Sequence, residues 1–532
     1  MKLKRIACVI LTSLIMTNLY CFADALVFPE DTGGWTLKSF KTKSLIIHDT
    51  QVLYEDGKYY ASMTNDDTVY VSDDLKSWKR AGIRPTGWYS PEEHNYLTWA
   101  PCYIKLRQPY TAPNGEAYEY ALFDALSYWG SQDSRIRCFV MHEPAPDSKA
   151  EYYYVGDVMS SGKYALKEVP NPRKSYEDEE TGAEGAKYYF VEGYERQRSA
   201  GVSNAWNAID PDVLYGEDGK LYLVWGSWFG GIFVTELDQN TLMPLSNRAD
   251  SYTRIAYMYA DECIEGATVF YHEGYYYLCV AYGDICYSYN TRIARSESIT
   301  GPYLDYNGAS MTGANGMIGT RAAAPYAFEN DKGWRGQGHC DWVYNPDTDE
   351  YFLLMNGRTV DDEYARQMVR SVWWLDGWPV LAPEIAAADT ARTVLDDAGN
   401  AVKSSAKAPG RQNVAQELIA GEYEIVVFRR DMNQHVNEEV LEKSRRITLA
   451  DDGSVSGAYS GSWHMDEEGI VNITLDGVKL RAIASPVYDW ERERAGIIAL
   501  SGLTEKGAYS DPMAGTAVWL KGTEVVANVV SE

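Results

Sequence analysis

Short strands in which polar and apolar residues alternate run from about residue 44 to 385. They form five similar pairs, each with an apolar strand, a turn rich in Asp or Glu and Gly, and an aromatic-rich strand. The pairs read SLIIHDTQVLYEDGKYYASMTN, TWAPCYIKL with GEAYEYALFDA, NAIDPDVLYGEDGKLYLVWGS, EGATVFYHEGYYYLCVAYG and GHCDWVYNPDTDEYFLLMNG. This pattern is typical of β-hairpins. Five copies predict an all-β protein with a five-bladed β-propeller over residues 26–385, with an irregular β-sandwich as the alternative.

The pattern changes after Pro383. Residues 386–412 are rich in Ala, Asp, Lys and Gly and predict a linker. From residue 413 to 532 strands resume, for example AGEYEIVVF and GIVNITLDGVKLRAIASPVYDW, and predict a smaller antiparallel β-barrel or sandwich. A charged segment at about 140–200 separates the second repeat from the third and is interpreted as an insert.

Residues 1–25 have the features of a secretory signal peptide. Three basic residues precede an apolar run over 6–22, and alanines follow at 23 and 25. A retained membrane anchor is one alternative, and lipidation at Cys21 is another, which the bulky Tyr20 disfavours. We therefore expect a secreted protein, or one in the periplasm or at the cell surface.

The net charge of −27 argues against nucleic acid or an anionic membrane surface as partner, because both require a basic face. It is compatible with an uncharged substrate. Six of the eight cysteines lie outside residues 1–25, and none forms a C-x-x-C pair, so zinc and redox sites are disfavoured. Buried thiols are expected, with one or two disulfides as the alternative in an oxidising compartment.

Three acids occupy the starts of repeats, Asp49 in IIHDT, Asp210 in AIDPD and Glu265 in IEGAT. The first strand of each propeller blade lines the central channel, so these residues should converge on one pocket. Cleavage of a glycosidic bond requires an acid that protonates the leaving oxygen and a base that activates water or attacks carbon. A third carboxylate nearby can raise the pKa of such an acid. The three acids predict a glycoside hydrolase.

An ordered set of motifs resembles glycoside hydrolase family 43, and within it the two-domain endo-α-1,5-L-arabinanases. The motifs are HD at 48–49, WAP at 99–101, IDP at 209–211, GSWFGGI at 226–232, EG at 265–266, GH at 338–339 and GWP at 377–379. The resemblance covers residues 44–385, and the C-terminal domain is similar to the β-domain that follows the propeller in those enzymes. It implies a monomeric enzyme that cleaves arabinan or arabino-oligosaccharides.

The resemblance implies an inverting mechanism, with Asp49 as general base, Glu265 as general acid, and Asp210 as the residue that orients Glu265 and modulates its acidity. Inversion predicts that the carboxyl groups of base and acid lie roughly 6.5–9.5 Å apart, which leaves room for a water molecule. The resemblance also implies calcium in the channel, held by His339 and water.

Candidate substrate-binding residues lie in or near the same motifs. They are His48, Trp99, Ser227, Trp228, Phe229 and Arg370. Each has a structural alternative: the aromatic rings could belong to the propeller core, and Arg370 could pair with an acid.

Two residues depart from the family's motifs, Thr50 where proline is usual and Cys102 where Asp is common. Three hypotheses stay open. The first is an endo-acting arabinanase. The second is an exo-acting α-L-arabinofuranosidase or β-xylosidase of the same family. The third is a non-catalytic glycan-binding propeller. The C-terminal domain either contacts glycan or supports the propeller.

Overall fold

The computed structural model describes most of the chain. The described residues are 27–29, 37–86, 97–127, 134–161, 169–170, 187–188, 206–228, 230–246, 252–258, 264–313, 317–362, 364–385, 392–395, 401–404, 414–431, 441–508 and 510–526. The predicted signal peptide, residues 1–25 with Cys21, lies outside them. None of the helices in this described part is long and apolar enough to span a membrane.

Five antiparallel sheets, called blades 1 to 5 in chain order, form a β-propeller, which confirms the predicted fold. Strand β1 (Val27–Pro29) and helix α1 (Leu37–Lys43) precede them. Blade 1 contains β2 (Gln51–Glu55), β3 (Lys58–Ser62), β4 (Thr68–Ser72) and β5 (Trp78–Ile83). Blade 2 contains β6 (Leu97–Thr111), β7 (Ala117–Ser127), β8 (Arg135–Met141) and β9 (Tyr153–Ser160), with a 3-10 turn at Lys149–Glu151. A separate pair, β10 (Val169–Pro170) and β11 (Lys187–Tyr188), follows.

The other three blades come from residues 212–381. Blade 3 contains β12 (Asp212–Tyr215), β13 (Leu221–Trp225), β14 (Ile232–Leu237) and β15 (Thr253–Ala256). Blade 4 contains β16 (Ile264–His272), β17 (Tyr275–Tyr282), β18 (Asn290–Ser296) and β19 (Thr320–Ala323). Blade 5 contains β20 (Tyr326–Ala327), β21 (Trp334–Asn345), β22 (Glu350–Thr359), β23 (Arg366–Leu375) and β24 (Trp378–Leu381).

The predicted repeats correspond to the inner hairpin of each blade. Asp56 and Gly57 have φ values of 50° and 76°, and Glu273 and Gly274 have values of 44° and 90°. Positive φ at both central residues of a two-residue loop defines the type I′ turn, whose twist matches that of the flanking strands. The D-G and E-G dipeptides therefore determine the hairpins locally, as the sequence predicted.

The inner strands of the blades contact one another in a closed ring that surrounds the central channel. These strands are β2, β6, β12, β16 and β21. Side chains near the strand starts accept backbone hydrogen bonds from the next blade: Asp212 Oδ2 lies 2.7 Å from Val269 N, and Asp341 Oδ2 lies 2.6 Å from Val52 N. These hydrogen bonds join neighbouring blades, including the last blade to the first.

Cys102 occupies the corresponding position in blade 2. Its Sγ lies 3.3 Å from Val213 N of blade 3 and accepts that hydrogen bond. Burial raises the pKa of the Cys102 thiol well above its usual value. The thiol thus serves as a neutral acceptor between blades at the position where the family's motif commonly has Asp.

The C-terminal domain is a closed antiparallel barrel of eight strands, which decides between the predicted barrel and sandwich. Strands β25 (Arg392–Leu395) and β26 (Ala401–Ser404) precede it, and a 3-10 turn at Gln416–Leu418 leads into it. The following strands are β27 (Gly421–Val427), β28 (Glu442–Lys443), β29 (Arg445–Leu449), β30 (Ser454–Gly457), β31 (Gly461–Met465), β32 (Ile470–Leu475), β33 (Val478–Asp489), β34 (Arg494–Thr504) and β35 (Ala517–Gly522). All except β28 belong to the barrel, and β28 extends the sheet of blade 5 beside β20.

The barrel packs its outer face on the last two blades. Phe428, Trp490 and Trp519 of the C-terminal domain belong to the same apolar cluster as Trp334 and Trp378 of blade 5. The barrel interior is a separate apolar cluster, filled by side chains of its own strands. This shared core favours the supporting role of the C-terminal domain over glycan contact.

The structure refines the predictions for the linker, the insert and the cysteines. Part of the expected linker, residues 392–395 and 401–404, forms strands β25 and β26, which make a three-stranded sheet with β1. The predicted start of the insert, at about residue 140, is too early. Strand β9 (Tyr153–Ser160) is the fourth strand of blade 2, so the blade extends to residue 160. All five cysteines in the described part of the chain are free thiols; Cys263 lies outside it.

Candidate active site

A residue in the left-handed region of backbone conformation lies at a corresponding place in each inner strand or just before it. The five residues are Asp49 (φ 56°), Ala100 (φ 40°), Asp210 (φ 53°), Gly266 (φ 57°) and His339 (φ 52°). The strand register shifts beside three of them, in blades 2, 4 and 5. Such irregularities re-aim side chains. A left-handed conformation costs a non-glycine residue about 1–2 kcal/mol, and such strained positions cluster at functional sites.

The carboxylate of Asp49 is held by side chains from blades 1 and 5 and by the neighbouring His48. Its Oδ2 lies 2.7 Å from His48 Nδ1 and accepts a 2.7 Å hydrogen bond from Thr64 Oγ1. Its Oδ1 lies 3.0 Å from His339 Nδ1 and 3.3 Å from Asn356 Nδ2. Burial alone would raise the pKa of Asp49, but His339 and His48 outweigh it and hold this pKa well below its usual value. Asp49 is therefore an ionised carboxylate with both oxygens fixed.

The pKa values of Asp210 and His339 are both raised, in contrast to the pKa of Asp49. Burial raises the pKa of Asp210 to about 7, the nearby charges of Glu265 and Asp49 add to the rise, and His339 opposes it. Burial would lower the pKa of His339, but Asp49 and Asp210 raise it to about 10. Without a metal, His339 is thus an imidazolium between two carboxyl groups, and Asp210 can exchange a proton near neutral pH.

Glu265 lies one position before the left-handed residue of its strand and is half-buried. Its Oε2 accepts hydrogen bonds from Ser227 Oγ at 2.7 Å and Trp228 Nε1 at 2.9 Å, and its Oε1 accepts one from the Tyr289 hydroxyl. The next residue, Gly266, donates its N–H to Asp210 Oδ2 at 3.2 Å. The backbone of Gly266 therefore connects Glu265, the predicted acid, to the carboxylate of Asp210.

The predicted substrate-binding residues differ in their exposure and in the groups that they contact. His48 contacts Asp49 and keeps about a third of its side chain exposed, whereas Ser227 is fully buried and contacts Glu265 instead of open space. The prediction that Ser227 contacts the sugar directly is therefore wrong. Trp99, near the start of β6, and Trp228, which follows β13, are half-buried. Phe229 lies outside the described residues.

The prediction for Arg370 is also wrong. Its guanidinium is fully buried, donates to the carbonyl oxygens of Ala382 and Pro383, and lies 4.4 Å from the ring centre of Trp519 in the barrel. The side chain is thus held between blade 5 and the barrel and can contact neither sugar nor solvent. It stabilises the interface between the two domains.

Three residues of the site were missed by the sequence analysis. Thr64 and Asn356 hold Asp49, and Tyr289 holds Glu265. Thr64 and Asn356 lie in MTN and MNG, at corresponding places in the first and last repeats. That shared polar residue after an apolar strand was a usable signal, whereas Tyr289 is one of 42 tyrosines and carries none.

The surroundings of His339 offer one histidine nitrogen as a possible ligand for calcium. Its Nδ1 faces Asp49, which leaves Nε2 as the nitrogen available to a metal. A carboxylate on the other ring nitrogen is the usual support of a metal-binding histidine. The described residues form no three-ligand metal cluster here, since the one such group is Glu384, Asp489 and Glu491 at the barrel. The site fits calcium only with water as most of its ligands.

Comparison with known proteins finds two family models that match parts of this chain. Residues 184–379 match the family model described as glycosyl hydrolases family 43. The chain carries a glycoside hydrolase family 43 domain. Residues 403–510 match the model described as a C-terminal lipocalin-like domain, in agreement with the closed barrel. Together the matches confirm the resemblance found in the sequence motifs.

Relatives of this chain include proteins named as arabinanases. The chain is 25% identical over 459 residues to a protein of Thermotoga petrophila named extracellular endo-α-(1→5)-L-arabinanase, covering 81% of this chain and 85% of that protein. It is 33% identical over 182 residues to extracellular endo-α-(1→5)-L-arabinanase 1 of Bacillus subtilis, covering 33% of this chain and 51% of that protein.

Solved structures share the two-domain fold. The crystal structure of the endo-1,5-α-L-arabinanase from Thermotoga petrophila RKU-1 matches with a TM-score of 0.67 at 22% identity, covering 91% of this chain and 99% of that one. A family 43 protein from Bacillus licheniformis matches with a TM-score of 0.69 at 22% identity, covering 90% and 99%. These likenesses confirm the fold of both domains.

Proposed function

We propose that this protein is an inverting endo-arabinanase that cleaves α-1,5-L-arabinofuranosidic linkages in arabinan. The observation that carries the proposal is the meeting of Asp49, Asp210 and Glu265, from three blades, around His339 in the channel. The names of the relatives indicate the substrate, and the acidic surface of the protein suits an uncharged polymer.

Asp49 is proposed as the general base. Its pKa is held well below its usual value, so it is ionised and can accept a proton from water over the whole working range of pH. Thr64 and Asn356 fix the carboxylate in one orientation, which places the attacking water relative to the anomeric carbon.

Glu265 is proposed as the general acid, which gives its proton to the departing glycosidic oxygen. Asp210, whose burial-raised pKa is about 7, is proposed to orient Glu265 through the backbone of Gly266 and to modulate its acidity by its own charge state. In an inverting reaction, water attacks from the face opposite the leaving group as the glycosidic bond breaks.

Calcium in the channel is part of the proposal, with Nε2 of His339 as its protein ligand and water as the rest. A bound cation would supply positive charge beside the carboxylates. The histidine must give up its proton to bind a metal, so binding should weaken as pH falls. Titration of chelator-treated protein with calcium, with the thermal midpoint as readout, tests this in wild type and in His339→Ala. Equal midpoint shifts in the two proteins would refute it.

The activity is tested on linear arabinan, branched arabinan and xylan. We expect release of mixed oligosaccharides from linear arabinan, α-to-β inversion by proton NMR, and a loss of about 10²–10⁴-fold in kcat for Glu265→Ala. Release of arabinose alone would favour the exo-acting alternative, for which one relative, an extracellular exo-α-(1→5)-L-arabinofuranosidase of Cellvibrio japonicus, is a precedent. Binding without hydrolysis would support a non-catalytic propeller. Light scattering tests the expected monomer.

Export is proposed from the N-terminal sequence, and the word extracellular in the names of the relatives supports it. Mass spectrometry of the mature N-terminus distinguishes the two outcomes. A start near residue 26 indicates a cleaved secretory signal. A lipid on Cys21 would indicate an anchored protein.

A further inference from the structure

The two oxygens of Glu265 have chemically different partners. Oε2 accepts from the indole N–H of Trp228 at 2.9 Å and from the hydroxyl of Ser227 at 2.7 Å, whereas Oε1 accepts from the phenol of Tyr289. Tyr289 is fully buried, so its hydroxyl is held against Glu265 by the surrounding protein.

An indole N–H can only donate a hydrogen bond, but a hydroxyl group can donate or accept. Oε2 must therefore stay an acceptor as long as Trp228 is in place. When Glu265 is protonated, a proton on Oε1 lets Trp228 and Ser227 go on donating to Oε2 as a carbonyl oxygen, and only the Tyr289 hydroxyl turns from donor to acceptor. A proton on Oε2 would instead turn the Ser227 hydroxyl and leave the indole N–H on a carboxylic hydroxyl oxygen, which is the poorer acceptor. The three contacts thus distinguish one oxygen as the acidic one.

We propose that Tyr289 is a positioning residue, which selects Oε1 of Glu265 as the oxygen that delivers the proton and holds that proton until the substrate takes it. The inference rests on the proposed function, because it presumes Glu265 as general acid.

The step balances as a single displacement. The bond between Oε1 of Glu265 and its proton breaks, and this proton, until then hydrogen-bonded to the Tyr289 oxygen, goes to the glycosidic oxygen as the bond from that oxygen to the anomeric carbon breaks. Water forms the new bond to the anomeric carbon and gives a proton to Asp49. The products are a free hydroxyl on the leaving chain and a hemiacetal of inverted configuration, and Glu265 is left as a carboxylate that accepts again from Tyr289.

The decisive test compares Tyr289→Phe on two substrates, linear arabinan and an arabino-oligosaccharide with an acidic phenol as leaving group. An acidic phenol leaves without protonation. We expect kcat to fall about 10- to 100-fold on arabinan and less than about 3-fold on the aryl substrate, with KM nearly unchanged. Equal losses on both substrates would mean a merely structural role and would overturn the proposal.

The pH profile is a second readout. Loss of a donor makes the charged carboxylate less favourable, so the alkaline fall in kcat/KM should move to higher pH in Tyr289→Phe. The charged groups that interact with Glu265 in the described structure are Asp210 and His339. Tyr289→Phe changes neither of them, so their contribution to the pH profile should stay the same. An unmoved profile would count against the proposal.

Tyr54→Phe is the matched control, since it also removes a phenol that donates to a carboxylate, that of Asp347, at 2.7 Å on the surface of blade 1. It should behave as wild type. Full activity of Glu265→Ala would refute the proposed acid itself, whereas an inactive Glu265→Ala with a wild-type Tyr289→Phe would refute only the role of Tyr289. Circular dichroism and thermal midpoints check folding, and Tyr289→Met, with the same expected result, replaces the Phe variant if that does not fold.

Discussion

Gly266 is the left-handed residue of blade 4, and its replacement by alanine tests whether close backbone packing holds the site together. Its φ is 57°, and an added Cβ would lie 2.7 Å from both Cα and Cγ of His339 and 2.9 Å from Nδ1. Cβ atoms essentially never approach other heavy atoms so closely, so either His339 or β16 must move in Gly266→Ala.

Two costs add in this variant. The left-handed conformation costs alanine about 1–2 kcal/mol, and overpacking costs typically 1–3 kcal/mol more. The free energy of unfolding should therefore fall by roughly 2–5 kcal/mol. Because His339 Nδ1 lies 3.0 Å from Asp49 Oδ1, a shift of the ring also displaces the proposed base. A misplacement of about 1 Å can cost roughly 10²-fold in rate.

Gly274→Ala is the control, because Gly274 lies at the other end of the same hairpin with a φ of 90° and no atom within 4 Å of an added Cβ. It should lose only about 1–2 kcal/mol and keep its activity. Urea denaturation and kcat on linear arabinan measure both variants. Equal destabilisation of the two, or wild-type activity in Gly266→Ala, would refute the steric reasoning.

Three further predictions concern charge and the domain interface. Lys521→Met should lower the free energy of unfolding by about 3–5 kcal/mol in urea, because it removes a buried cation from a cluster of buried carboxylates. Lys220→Met, which removes an exposed pair, should leave the free energy of unfolding nearly unchanged. The His339 imidazolium, with a pKa raised to about 10, stabilises the fold fully below its unfolded pKa of about 6.5 and loses this effect as pH rises through about 10. In chelator, the gap in thermal midpoint between wild type and His339→Gln should therefore narrow from pH 6 to pH 10, and a constant gap would contradict this. Trp519→Ala should cost about 3–5 kcal/mol, and activity and far-UV circular dichroism should be lost at the same lower temperature because the domains share a core; loss of the barrel signal alone would show that they unfold independently.

The proposed acids could be predicted from sequence because their surroundings repeat. Asp49 and Asp210 each follow an apolar residue or histidine at the start of a hairpin, and each takes the same left-handed place in its blade. Glu265 was predicted from the EG dipeptide, but its offset by one position from the left-handed residue became visible only in the strand register.

The sequence by itself determined the features that local chemistry decides: alternation produces strands, the D-G and E-G dipeptides at 56–57 and 273–274 produce type I′ hairpins, and five similar hairpins predict five blades. The tertiary structure decided what depends on residues far apart in the chain. Closure of the barrel pairs β27 with β35, and Arg370 is enclosed by Trp519 from that barrel. Neither contact leaves a periodic trace, because one side chain among many neighbours is selected by packing and not by its position in a repeat. For the same reason, the contact between Tyr289 and Glu265 could not be predicted from the sequence.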